Sequence, residues 1–498
     1  MTRSRRARPG LRPVLIALLA VLGLASCAVR PPAPVPPAES HIVIFHINDT
    51  HAKIDAFAKV AAILDAERKT GSEVFFFSAG DIFTGDPVVD RFDPPGRPIV
   101  EILERLGLDL LTLGNHEFDY GQDALKDLLA RFRTVSANIE APAGVLPGLE
   151  PSAVLKTREG LRMFVFGLIQ VEPGNGLPSA HPDKLRGLQF SEPLARAAEL
   201  KRLRDDGEIL IGLTHIGYQQ DLALARQWPE IDVIVGGHSH TRVDPAENVE
   251  GVLVAQAGSD NRFLGRIDLL LRNGRIVGKK GVLIDLGRTT EEDAGIKALV
   301  AGFQQSPALA RVVARAPFEI GGKDALGSLM SDAIRWAHGL DVAFQNNGGI
   351  RLNRLPQAIT LKYVYTLEPF GNPVVRFDMT PAEIRGLVRS SFERNGTIDL
   401  QVSGLSYEVR TDAEKRVREV RLLLAGGKPL DEDRTYTVGL SSYIASSYAF
   451  DHKDPGRSLQ TTVADALLGY LESGADLGVY TRDLVRALSE RAPGASRN

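Results

Sequence analysis

The chain has 498 residues, 24% of them charged and 44% hydrophobic, with a formal net charge of −3 at pH 7. That length supports two or three domains with a sizeable core. The near-neutral balance, with no basic run beyond the N-terminus, excludes a nucleic-acid polymer as partner, and the single cysteine excludes an intramolecular disulfide framework or a multi-cysteine metal site.

Arg3, Arg5, Arg6 and Arg8 precede an apolar stretch over residues 14–24 that is too short for a comfortable membrane span. Leu24-Ala25-Ser26-Cys27 follows, and the whole resembles the bacterial lipoprotein signal; the alternative is a plain secretory signal with an incidental cysteine. The resemblance implies that residues 1–26 are removed and that Cys27 is acylated. The protein would then be held in the bacterial cell envelope by lipid, without a spanning helix. Ala28, where an aspartate would retain such proteins at the inner membrane, implies the outer membrane, facing the periplasm. Pro31, Pro32, Pro34, Pro36 and Pro37 make residues 27–40 a semi-extended tether.

A strand over residues 42–47 ends in Asn48-Asp49-Thr50-His51, and a helix is predicted over 57–68. The next strand, 73–78, ends in Gly80-Asp81. A third, 108–113, runs into Gly114-Asn115-His116-Glu117-Phe118-Asp119 ahead of a helix over 124–132. Further strands are expected at 162–169, at 208–213 ending in Thr214-His215, and at 232–235 ending in Gly236-Gly237-His238-Ser239-His240. Strands alternating with helices predict an α/β layer fold over residues 41–290, in which sites sit beyond the carboxyl ends of strands. Residues 291–320 read as a connector helix. A second mixed α/β domain is expected over 321–490: helix 325–337, strand 341–344, a glycine loop 346–351, and strands 374–379, 400–409, 419–424 and 436–443, with a helix at 463–472. Thr380-Pro381-Ala382-Glu383 carries a capping threonine, a first-turn proline and a glutamate three residues on, and so opens another helix.

The strand ends supply Asp49, His51, Asp81, Asn115, His215, His238 and His240. Carboxylate, imidazole and amide oxygen suit divalent ions. One such cluster would be an ordinary hydrogen-bonded loop; five at successive strand ends, separated by small or hydroxylated residues, point to a metal site. His41 and His46 read as strand residues, not ligands.

These motifs together resemble the calcineurin-like metallophosphoesterases, and specifically the secreted 5′-nucleotidase/UDP-sugar hydrolase family. The resemblance implies an N-terminal αββα sandwich followed by a C-terminal substrate-binding domain of 5′-nucleotidase type. It implies two divalent ions (Zn, Mn, Fe or Co). One would bind Asp49, His51, Asp81 and His240, the other Asp81, Asn115, His215 and His238, with Asp81 between them. His116 would touch the phosphoryl group and stabilise charge near the leaving side, with Asp119 orienting its ring; the alternative for Asp119 is a helix N-cap. Water activated by the ions would attack phosphorus in line with the leaving group.

In the second domain Asn346-Asn347-Gly348-Gly349-Ile350-Arg351 resembles the family's glycine loop, and an arginine fork suits phosphate oxygens. Arg351 is expected to bind substrate, with Arg354, Asn372 and Arg394 as further contacts. The family stacks the base between two aromatics. Asp399 or Leu400 stands where the first belongs, and the Gly-Gly-Asp-Gly stretch around the second is absent. Tyr443 is expected to stack in its place, with Tyr448 or Phe450 as alternatives. The resemblance implies hydrolysis of 5′-nucleotides or related small phosphate esters. The alternatives are a nucleotide-sugar or cyclic-nucleotide phosphodiesterase, a thiosulfohydrolase-like relative, or a non-catalytic ligand-binding lipoprotein.

Overall fold

The apolar runs of the N-terminal half pair into two sheets, laid face to face. In this computed structural model, residues 39–173, 175–200, 209–424, 427–481 and 483–491 are described; the signal, Cys27 and the tether to residue 38 lie outside them. The first sheet has seven strands in the order Arg275–Asp285, Phe263–Arg272, Glu39–Ile47, Glu73–Ser78, Leu110–Thr112, Thr134–Val135 and Leu149–Glu150. The second has six: Glu247–Val249, Val252–Ala255, Val233–Val235, Ile209–His215, Arg162–Ile169 and Ser152–Lys156.

Alternation along the first strand shows why both faces are covered. Ile42 and Ile44 pack between the sheets with Phe77, Val165 and Ile211, whereas Val43, Phe45 and Ile47 point to the helices Phe57–Arg68, Arg97–Leu106 and Gln122–Arg131. Helices Pro193–Leu200 and Tyr218–Gln227 cover the far face of the second sheet. The result is the expected αββα sandwich. Parallel register aligns the carboxyl ends: Ile47 lies opposite Ser78, Ser78 opposite Leu111, and Leu213 opposite Val235.

An antiparallel hairpin absent from the sequence expectation, Phe263–Arg272/Arg275–Asp285, completes the first sheet beside the first strand. Its signal was present: Asn273-Gly274, both at positive φ, is a two-residue hairpin turn between alternating apolar runs.

Three expectations are corrected. The connector is helical mainly over Ala294–Gln304, where Ile296 and Val300 join the core of the first domain. Val312–Arg315 already pairs with Ala358–Thr360 of the second domain. The single strand expected over 400–409 is two, Leu400–Ser403 and Ser406–Thr411, in different sheets. They are split at Gly404, where φ is +89° and an added Cβ would stand 2.0 Å from the Asp341 carbonyl oxygen. The strand expected to reach residue 443 stops at Ser441, whose hydroxyl caps the helix Ser442–Ser447, so Tyr443 is helical.

The second domain is a five-stranded sheet ordered Leu400–Ser403, Val342–Asn346, Tyr436–Ser441, Pro373–Met379 and Arg457–Thr462. Helices Lys323–His338 and Val463–Glu472 cover one face. The other face packs against the helix Pro381–Asn395 and a three-stranded sheet. Thr380 and Glu383 form the full capping box. Among the described residues, no helix is long and apolar enough to cross a membrane.

Candidate metal centre and substrate cavity

Loops at the aligned strand ends carry Asp49, His51, Asp81, His238 and His240 at positive φ, between 47° and 79°. Non-glycine residues adopt this region at a cost of roughly 1–3 kcal/mol each, and such strain gathers at functional sites. Backbone bonds hold it in place: the Asp49 amide donates to the Gly80 carbonyl at 2.9 Å, and the His51 amide to the Asp81 carbonyl at 3.1 Å. Gly114 lets the third loop approach, since a Cβ there would lie 2.2 Å from Asp81 Oδ1.

The seven predicted metal-site residues come together. His215 Nε2 is 3.1 Å from Asp81 Oδ2 and 3.9 Å from Asp49 Oδ1. His240 Nε2 is 3.4 Å from Asp49 Oδ1 and 2.9 Å from His51 Nε2. Asn115 Oδ1 is 3.0 Å from His238 Nδ1. Three overlapping groups of ligand type result: Asp49, His51 and His240; His51, Asp81 and His116; and Asp81, His215 and His238.

The donor set fits a cation. His215 Nδ1 lies 2.7 Å from the Ala79 carbonyl oxygen, which fixes the ring. Its Nε2 is wholly buried, makes no well-aligned hydrogen bond among the described residues and faces the two carboxylates. Burial would lower this histidine, yet Asp81 and Asp49 push it up to about 10. The site thus demands positive charge, which divalent ions satisfy by displacing protons. By contrast His41 pairs with Asp268 at 2.9 Å, and His46 is buried on the first strand.

His116 stands beside this group. Its backbone amide donates to Asp81 Oδ1 at 2.8 Å, and its Nδ1 lies 2.7 Å from Asp119 Oδ2. Burial opposes protonation, but Asp81 and Asp119 outweigh it and raise the imidazole above its ordinary value. The N-cap alternative for Asp119 does not hold, because Gly121 occupies that position before the helix Gln122–Arg131.

Glu117, left without a role by the sequence, is fully buried and accepts three backbone bonds. Oε2 takes the amides of Gly114 at 2.6 Å and Asp81 at 2.9 Å, and Oε1 that of Ile82 at 2.7 Å. It ties the Asp81 loop to the His116 loop. Burial raises its carboxyl to about 7. Residue type alone gave no clue, because the work is done on backbone amides.

The second domain closes over the centre. Arg351 Nη2 is 3.2 Å from His51 Nδ1. The Phe370 ring stacks on His116, with centroids 5.8 Å apart at 19°, and the Arg351 guanidinium lies 5.8 Å from the same ring. Phe370 therefore belongs to the site, although the sequence marked only its neighbour Asn372. A cavity of about 1050 Å³ runs from His116 between the domains, past Arg351, Asn372, Arg394 and Tyr443. Arg354 is the exception. It is exposed, donates to Glu319 Oε1 at 3.3 Å and does not line the cavity, because the chain turns away after Arg351 into a short strand.

Among the described residues, no parallel ring faces Tyr443. Tyr448 meets it edge to face, 6.4 Å away at 79°, and donates its hydroxyl to Asp399. Phe450 packs on Phe377 and His452 instead.

Comparison with known proteins places this geometry. Residues 42–242 match the model of the calcineurin-like phosphoesterases, and residues 306–449 that of the 5′-nucleotidase C-terminal domain. The trifunctional nucleotide phosphoesterase YfkN of Bacillus subtilis is 27% identical over 83% of this chain, which spans 32% of that protein's length. A 5′-nucleotidase of Vibrio cholerae is 28% identical over 94% of this chain and 97% of its own length. The crystal structure of a 5′-nucleotidase precursor from Thermus thermophilus superposes with a TM-score of 0.75 at 27% identity, covering 91% of this chain and all of that one. The chain belongs to the 5′-nucleotidase family, in which a calcineurin-like, metal-dependent phosphoesterase domain is followed by a 5′-nucleotidase C-terminal domain.

Proposed function

We propose that this protein releases phosphate from 5′-nucleotides or related small phosphate esters, using two divalent ions, in the bacterial cell envelope. The observation that carries the reading is the convergence of seven ligand side chains with His116 and Arg351, four of the seven (Asp81, Asn115, His238 and His240) lining the cavity beside them. Asp49, His51, Asp81 and His240 would hold one ion, and Asp81, Asn115, His215 and His238 the other. When bound, such a pair supplies a nucleophile from water at neutral pH and neutralises charge on the phosphoryl oxygens. Zinc, manganese, iron and cobalt all suit this donor set.

The side chains do the remainder. Arg351 presents its guanidinium to the phosphoryl oxygens. Asp119 favours the protonated form of His116, whose Nε2 hands a proton to the departing oxygen. Asp119 holds Nδ1, so Nε2 keeps its orientation. Phe370 covers the imidazole and keeps bulk water from it. Asn372, Arg394 and Tyr443 line the same cavity and offer contacts to the leaving group. The lipoprotein-like segment around Cys27 would tether this machinery to the outer membrane, where it meets substrates in the periplasm.

The test is phosphate release from nucleoside 5′-monophosphates, UDP-sugars, cyclic nucleotides and simple monoesters, with each metal added to chelator-treated protein. Metal-dependent release from monophosphates is expected. Cleavage confined to diesters would move the reading to a phosphodiesterase.

A further inference from the structure

The cavity between the domains is also lined by an acidic side chain of the first domain, one residue removed from Asn115 through Ser179. Glu172 follows the strand Arg162–Ile169. Its loop is closed by two backbone bonds, from the Glu172 amide to the Leu177 carbonyl and from the Gly176 amide to the Glu172 carbonyl, each 2.8 Å. Its two carboxylate oxygens differ. Oε1 accepts from Gln170 Nε2 at 2.8 Å and from the Ser179 hydroxyl, so the group is oriented from within its own domain. Oε2 faces Arg394 Nη2 of the second domain at 3.5 Å, beyond good hydrogen-bond length. Arg394 is fixed in turn, its Nη1 donating to the Ser447 carbonyl at 3.1 Å and its guanidinium lying 5.0 Å over the Tyr448 ring.

An oriented acceptor and an oriented donor thus stand 3.5 Å apart on opposite sides of the domain boundary, both lining the substrate cavity. A hydroxyl is the group that satisfies both, because it donates one bond and accepts another. A phosphate would satisfy Arg394 and be repelled by Glu172. An ammonium would satisfy Glu172 and be repelled by Arg394. The cavity is polarised accordingly, with the phosphoryl end at His116 and Arg351.

We propose that Glu172, together with Arg394, is a specificity-determining pair that reads a hydroxyl of the leaving group: in a 5′-nucleotide, the vicinal diol of the ribose. This rests on the phosphoesterase reading and adds to it a preference for esters whose leaving group carries a further hydroxyl. Each domain supplies half of the contact, so the hydroxyl is recognised only when the domains are together. A leaving group without the hydroxyl would leave Glu172 desolvated and without its ligand partner.

The experiment compares kcat/KM for AMP and 2′,3′-dideoxy-AMP, with p-nitrophenyl phosphate as a reporter of the phosphoesterase chemistry. Binding of adenosine and 2′,3′-dideoxyadenosine is followed by calorimetry. The wild type should prefer the diol by at least ~10-fold in both measurements. Glu172→Gln keeps an acceptor for Ser179 but turns a donor towards Arg394, and should bring the ratio to about one. Arg394→Gln, which removes the other half of the pair, should narrow it as well. No diol preference in the wild type, or a ratio unchanged in either variant, overturns the proposal while phosphate release from p-nitrophenyl phosphate leaves the phosphoesterase reading standing. Absence of release from every ester removes both.

Discussion

In the proposed mechanism His116 is the side chain on which proton transfer depends. It lies within the group of metal-site residues, yet the assignment gives it no share in holding the ions. His116→Ala should therefore lower kcat by about 10²–10⁴-fold while leaving the metal content, measured by elemental analysis, unchanged. Glu117 predicts the reverse emphasis. Its three backbone bonds fix the loop that carries Asp81, so Glu117→Ala should weaken metal binding about 10–100-fold in chelator competition, with turnover largely recovered at saturating metal. Ligand-type residues at strand ends were legible because imidazole, carboxylate and amide oxygen advertise their chemistry. Glu117 and Phe370 were not, because a carboxylate serving backbone amides and a ring covering an imidazole look like any buried glutamate and phenylalanine.

Among the elements, the loop Pro369–Asn372 is held by Glu368, which is buried and accepts the Gly371 amide at 3.2 Å. Burial raises its carboxyl from 4.5 to about 7, a difference worth about 3 kcal/mol. The folded state binds this proton more tightly than the unfolded chain. The stabilisation is therefore complete below about pH 4.5 and is lost as pH rises towards 7. Thermal melts from pH 5 to pH 8 should show a smaller fall in Tm for Glu368→Gln than for the wild type; equal slopes would show that Glu368 does not titrate in this window. Elements with strong period and clear punctuation were readable: the helices Phe57–Arg68 and Val463–Glu472 and the strands Glu73–Ser78 and Arg162–Ile169 coincide with the sequence expectation. The strand break at Gly404 was not, because it answers the close approach of Asp341, a contact that appears only once the sheet is assembled.

At the scale of the molecule, the two domains touch through charged and aromatic pairs. Lys362 Nζ lies 3.4 Å from Asp86 Oδ2, and the Arg91 guanidinium 4.0 Å from the Tyr365 ring centroid. With Arg351 on His51 these contacts hold the domains together. The double variant Arg91→Ala/Lys362→Ala should raise KM several-fold, and its radius of gyration in small-angle scattering should increase; an unchanged radius would show that other contacts set the domain arrangement. Two domains and their order were legible from the motifs. Their mode of contact was not, since Arg351 and His51 are 300 residues apart and neither carries a local sign of the other. The central claim is a two-ion phosphoesterase acting on 5′-nucleotides, and its most direct measurement is the rate of phosphate release from AMP as manganese or zinc is titrated into chelator-treated protein. The account predicts no release without metal and a rise that saturates at two ions per chain. Release that is independent of added metal, or none at any loading, would contradict it.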